Sequence, residues 1–181
     1  EAAVHSLFSP VINVPVNATG VQMMFTHYLE TEPGYDGGNV KVSANGGPWV
    51  TVPRQTFTFN PYNARINSAG QGNDCPMAGQ DGWTGLGGKW GTSVVDLRSL
   101  VAPGGTLRVR FDFGKDGCNG ATGWWMDDFS VYNCPDCDGS GTPDVNELVH
   151  TDASEPLGNI GSDSPQAFFL GEPPLASGEV L

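Results

Sequence analysis

Val21-Gln-Met-Met-Phe-Thr-His-Tyr-Leu29 shows period-two patterning, and Leu107-Arg-Val-Arg-Phe-Asp-Phe113 repeats it. Successive residues of a strand point to opposite faces, so this period sends one set of side chains to a core and the other to solvent. Working outward, short apolar or alternating runs recur at Val11–Val16, Val40–Ala44, Trp49–Val52, Thr92–Asp96 and Trp124–Tyr132. Turn signals separate them: Asp36-Gly-Gly38, Asn45-Gly-Gly-Pro48, Gly85–Gly91 and Pro103-Gly-Gly105. These residues tolerate the dihedrals of tight turns. No amphipathic helix of useful length interrupts the series. The pattern predicts an all-β fold, a two-sheet antiparallel jelly-roll sandwich. Residues Phe57–Thr84 read as a long irregular connection, and Cys75 is the expected pin that holds it.

Composition narrows the function classes. The 181-residue chain carries 26 Gly and 14 Pro, which suits a turn-rich β domain. Its 20 acidic and 8 basic residues give a formal charge of −12. A phosphate lattice needs Lys and Arg, so nucleic acid is excluded as an expected partner. No apolar run approaches a membrane span, so membrane insertion is not expected either. The four cysteines, Cys75, Cys118, Cys134 and Cys137, allow three pairings. Cys134-Pro-Asp-Cys137 lacks a second close pair for zinc and a thioredoxin-like context for redox work. Two structural disulfides of an extracellular protein are the better reading.

The sharpest chemical motif lies near the end: Asp136-Cys-Asp-Gly-Ser-Gly-Thr-Pro-Asp-Val-Asn-Glu147. Side-chain oxygens fall at loop positions one, three, five, nine and twelve, from Asp136, Asp138, Ser140, Asp144 and Glu147. Gly141 occupies the sixth position, where the backbone turns sharply, and Thr142 offers its main-chain carbonyl. A hard cation surrounded by oxygens needs this spacing, and Ca²⁺ is the expected ion. The residues before the loop read as a strand ending at Pro135 rather than as a helix, so it is no helix-loop-helix hand. It resembles the calcium loops of dockerins and thrombospondin type 3 repeats. These features divide the chain into a sandwich (1–134), a calcium loop and linker (135–155) and an extended tail (156–181) that reads as the start of a further β domain.

Three further stretches carry a family resemblance. They are Phe25-Thr-His-Tyr-Leu-Glu-Thr-Glu-Pro-Gly-Tyr-Asp-Gly-Gly38 with its continuation to Trp49, Gly87-Gly-Lys-Trp-Gly-Thr-Ser-Val-Val-Asp-Leu97 and Gly123-Trp-Trp-Met-Asp-Asp-Phe-Ser-Val131. Together they resemble the MAM-like jelly-roll domains of secreted bacterial proteins, above all the accessory domains of immune inhibitor A-like metalloproteases. The resemblance implies a second Ca²⁺ at one end of the sandwich, held by Glu32, Asp36 and Asp128, with Glu30 and Asp127 as lesser candidates. It also implies a bridge between Cys118 and Cys134, which leaves Cys75 with Cys137.

No catalytic constellation appears. His5, His27 and His150 are scattered, and neither an HExxH nor a G-x-S-x-G motif occurs. Asp127 and Glu30 as a glycosidase pair have no motif behind them. The expected function is therefore a non-catalytic, calcium-stabilised structural or adhesion module, extracellular or at the cell surface, whose partners are neighbouring domains of the same polypeptide. The alternatives are a carbohydrate-binding module on a secreted hydrolase or protease, and a self-assembling fibre subunit whose partners are copies of itself. For glycans, Trp83 in its Gly-rich surroundings is the first expected contact; Trp90, Trp124 and Trp125 are expected to plug the core or a sandwich end.

Overall fold

The computed structural model describes residues 1–85, 87, 89–118 and 121–134. The calcium loop, with Cys137, Asp136, Asp138, Ser140, Thr142, Asp144 and Glu147, and the tail lie outside them. Two antiparallel sheets pack as a sandwich. In the first, β1 (Ala3–Phe8) and β2 (Ile12–Asn13) both pair with β10 (Thr106–Lys115), which pairs on its other side with β4 (Gly37–Ala44) and then β5 (Val50–Thr51). The second runs β11 (Gly123–Asn133), β3 (Val21–Glu30), β9 (Trp90–Asp96), β6 (Phe57–Phe59). A small ribbon of β7 (Ala64–Arg65) and β8 (Asp81–Gly82) sits within the long connection.

The alternation that predicts the sandwich is what fills it. Val21, Met23, Phe25, His27 and Leu29 of β3 are buried, and the residues between them are only partly so. Val40 and Val42 face them from β4, with Leu107, Val109 and Phe111 from β10. Each large apolar side chain taken fully out of water contributes about 1.5–3 kcal/mol, so this double row carries the fold. On the far side of β10, Asp112 ties three strands. Its carboxylate accepts from Ser6 Oγ (2.7 Å) of β1, Lys41 Nζ (2.7 Å) of β4 and Arg110 Nη2 (2.9 Å). Burial would raise its pKa, but the Lys41 and Ser6 hydrogen bonds and the two cations hold it below the usual carboxylate range.

Trp83 corrects a sequence expectation. It is completely buried, with its backbone paired to Gly38 through Trp83 N–Gly38 O (2.8 Å) and Gly38 N–Trp83 O (2.9 Å). Its indole Nε1–H donates to Pro61 O at 3.0 Å. The neighbouring glycines serve close approach rather than exposure: a Cβ on Gly82 would stand 2.7 Å from Gly38 O. Trp83 therefore offers no face to a sugar.

The bridges Cys118–Cys134 and Cys75–Cys137 are also overturned, because Cys75 and Cys118 carry free thiols. Cys75 points inward, into a cluster with Ile66 and Met77, rather than toward the end of β11. The long connection is pinned instead by Asn73, whose Nδ2 lies within hydrogen-bond range of Tyr35 O (3.1 Å), Asn67 O (3.1 Å) and Gly34 O (3.4 Å).

Among the described residues β11 forms one border of its sheet, and it carries an irregularity. Asp127 pairs with Thr26, but the next pair is Ser130 with Met24, so the ladder shifts there. Asp128 sits in this bulge with φ of 50°, a left-handed conformation that Asp tolerates better than most residues.

Candidate functional site

Two surfaces emerge from this frame. The first is the acidic corner where β3 turns into β4. The turn is held by backbone bonds from Tyr35 N and Asp36 N to Glu32 O (3.2 and 3.1 Å). Thr84 plugs it from the long connection: its Oγ1 accepts Gly34 N–H (2.8 Å) and lies 2.6 Å from Asp36 O. Asp36 is buried, and one of its oxygens accepts Asp116 N–H at 2.8 Å. Burial, followed by the charges of Asp116 and Glu32, raises the Asp36 pKa against the opposing pull of that N–H and of Lys115. Glu32 Oε2 is buried without a hydrogen-bond partner.

A buried, unpartnered carboxylate oxygen is costly, and a cation is one way to offset it. Glu32 and Asp36 thus fit the donor chemistry of a calcium ligand pair. Asp128 does not join them. Its neighbour Asp127 lies opposite Thr26, four register positions along β3 from Glu30, or about 13 Å at strand rise. Among the described residues, no group of three or more His, Cys, Asp or Glu side chains is arranged to hold a metal ion. Sequence reasoning missed Asp116 and Thr84, which reach the corner from distant parts of the chain and carry no local motif.

The second surface is aromatic. On the outer face of the second sheet, Trp125 of β11, Tyr28 of β3 and Trp90 of β9 stand directly opposite one another across three adjacent strands. Their ring centroids are 5.5 Å (Tyr28–Trp125) and 6.0 Å (Tyr28–Trp90) apart. Trp125 is 45% exposed and Trp90 42%. Strand alternation decides this: Trp124 turns inward against Trp83, so Trp125 must turn outward. The expectation that all three tryptophans fill the core holds only for Trp124. Beside the row, Glu30 accepts from Tyr28 Oη (3.3 Å) and from Thr122 Oγ1.

Behind the row, His27 is completely buried. Trp124 Nε1–H donates to His27 Nδ1 at 3.0 Å. An indole N–H can only donate, so Nδ1 is the acceptor and Nε2 carries the ring proton. Nε2 therefore donates to Ser93 Oγ (3.0 Å), which donates to Asn60 O (2.8 Å). Burial pushes the His27 pKa down to about 3, so it is a neutral core residue.

No protein-family model matches the chain, and no curated protein matches it. No helix among the described residues is long and apolar enough to cross a membrane.

Proposed function

We propose that this chain is a non-catalytic extracellular adhesion module, a MAM-like jelly roll, that takes carbohydrate on the Trp125–Tyr28–Trp90 row. One observation carries this reading: three aromatic side chains in register across adjacent strands, with both tryptophans nearly half exposed. A sugar ring presents an apolar C–H face that stacks on an aromatic ring, and its hydroxyls seek acceptors at the margin. Glu30 supplies such an acceptor at one end of the row. Glycan-array screening followed by titration is the test. Trp125→Ala is expected to weaken binding at least about tenfold, a hot-spot loss, while stability stays within about 1 kcal/mol because the side chain is exposed. Absence of any glycan hit, or a hit indifferent to Trp125→Ala and Trp90→Ala, would remove the glycan reading.

Calcium belongs to the proposal as a stiffener. Glu32 and Asp36 would hold one ion and the Asp136–Glu147 loop another; calcium would supply charge neutralisation and oxygen coordination. Extracellular modules typically bind at about 10⁻⁴–10⁻³ M, so millimolar calcium should raise Tm and a chelator should reverse the gain. Asp36→Asn is expected to leave the metal-free Tm equal or higher, since it removes a carboxylate whose charge is disfavoured in the fold. The same variant should show a smaller calcium gain. An undiminished gain in Asp36→Asn would exclude the corner as a site.

A further inference from the structure

Cys75 and Cys118, the free thiols among the described residues, lie on chain segments that are already docked together. Asp74 Oδ1 accepts Gly117 N–H at 3.1 Å, and these are the residues immediately before Cys75 and Cys118. The Cys118 segment is also anchored to the β3–β4 turn, where Asp36 Oδ1 accepts Asp116 N–H at 2.8 Å. Cys118 N–H in turn donates to Asp116 Oδ1 at 2.9 Å, which fixes the backbone of the turn that follows β10. From the other side, Cys75 N–H donates to Asn73 Oδ1 at 2.9 Å. The Cys75 sulfur presses on β10 itself, since a Cβ placed on Gly114 would stand 2.7 Å from its Sγ. Cys118 is exposed, so an oxidant in solution reaches its thiol.

We propose that Cys75 and Cys118 form a disulfide under oxidising conditions, a pairing that neither motif spacing nor family resemblance suggests. A bridge requires Cα atoms about 4.4–6.8 Å apart, and the Asp74–Gly117 hydrogen bond, one residue before each cysteine, holds the two segments side by side. The oxidant is a low-molecular-weight disulfide such as oxidised glutathione. The exposed Cys118 thiolate attacks it, forming a mixed disulfide and releasing one glutathione thiolate. The Cys75 thiolate then attacks Cys118 Sγ, forming the protein S–S bond and releasing the second. Two protein thiol protons leave, and one glutathione disulfide becomes two thiols. The bridge closes a loop of more than forty residues, a length at which a cross-link restricts the unfolded chain strongly. It would bolt the long connection to the β10–β11 turn.

The test is peptide mapping of the full chain by mass spectrometry, without reduction, after exposure to oxidised glutathione. The expected product is a Cys75–Cys118 cross-linked peptide pair lighter by two hydrogens than the free peptides. Oxidation should raise Tm by roughly 10 °C, and reductant should reverse it. Cys118→Ser, at an exposed position, should fold and show no such redox-dependent rise. Free thiols at both positions after oxidation, or cross-links from either to Cys134 or Cys137, would overturn the pairing. So would an undiminished redox shift in Cys118→Ser.

Discussion

Trp83→Ala is expected to cost about 3–5 kcal/mol of folding stability, the range for deleting a large buried aromatic. Trp83 is the hub of the interior: its ring lies 4.6 Å from Tyr62, 4.7 Å from His27, 5.6 Å from Phe57 and 5.8 Å from Phe25, centroid to centroid. These partners come from β3, β6 and the long connection, so the cavity left by alanine could not be closed by one side chain moving. The deletion would also strand Pro61 O, which accepts the indole N–H. Domains of this size are stable by about 5–15 kcal/mol, so the loss is a large share of the total. Urea denaturation is the measurement, with a lower midpoint at unchanged slope as the expected result. Trp83→Phe should cost less, because it keeps most of the packing. A change below about 1 kcal/mol in Trp83→Ala would mean that the ring is not the hub described.

Acidification supplies the second large effect. His27 has a folded pKa of about 3 against an ordinary value of 6.5, so below 6.5 the unfolded chain takes up a proton that the folded one refuses. More protons on the unfolded state means that stability rises with pH, and the contribution is fully present only above about 6.5. It is lost as pH falls through the window from 6.5 toward 3. At pH 5 the loss is about 2 kcal/mol, at 1.36 kcal/mol per unit. Asp112 follows the same sign in a different range: its depressed carboxylate contributes stability that disappears only below the ordinary Asp pKa of about 3.9. Asp36, whose raised pKa acts with the opposite sign as pH falls, is removed by using the Asp36→Asn background, in which chemical denaturation at pH 7 and pH 5 reads His27. His27→Gln is expected to be less stable at pH 7 yet nearly flat between the two pH values. An Asp36→Asn protein equally stable at both pH values would refute the buried neutral imidazole.

The alternation in β3 and β10 is legible in the sequence because a half-buried strand writes its two faces residue by residue. β1 is not, since five of its six residues are exposed and no buried face imposes a period. Trp83 is misread for a physical reason: glycine beside an aromatic signals either exposure or close backbone approach, and only the Gly38 pairing decides between them. Trp124 and Trp125 are adjacent, so strand geometry alone demands that one face outward. Which one does so depends on the register with β3. The acidic corner is half legible. Glu32 and Asp36 share one turn and stand out, whereas Asp116, Thr84 and Asn73 arrive from far along the chain. Cysteine pairing depends on the same long-range docking: the Asp74–Gly117 contact lies in no motif.

The kink at Asp127–Ser130 has a bearing on how such modules sit in a crowd. A straight outer border of a sheet is a template onto which another chain can be stitched, bond after bond. Here that border is bent by an extra residue, and two neighbouring carboxylates, Asp127 and Asp128, are exposed at the bend. Two such borders meeting edge to edge would bring like charges together and mismatch their ladders beyond a few residues. Copies strung along one polypeptide, or packed densely on a surface, should therefore slide past one another without zipping into fibrils along this flank.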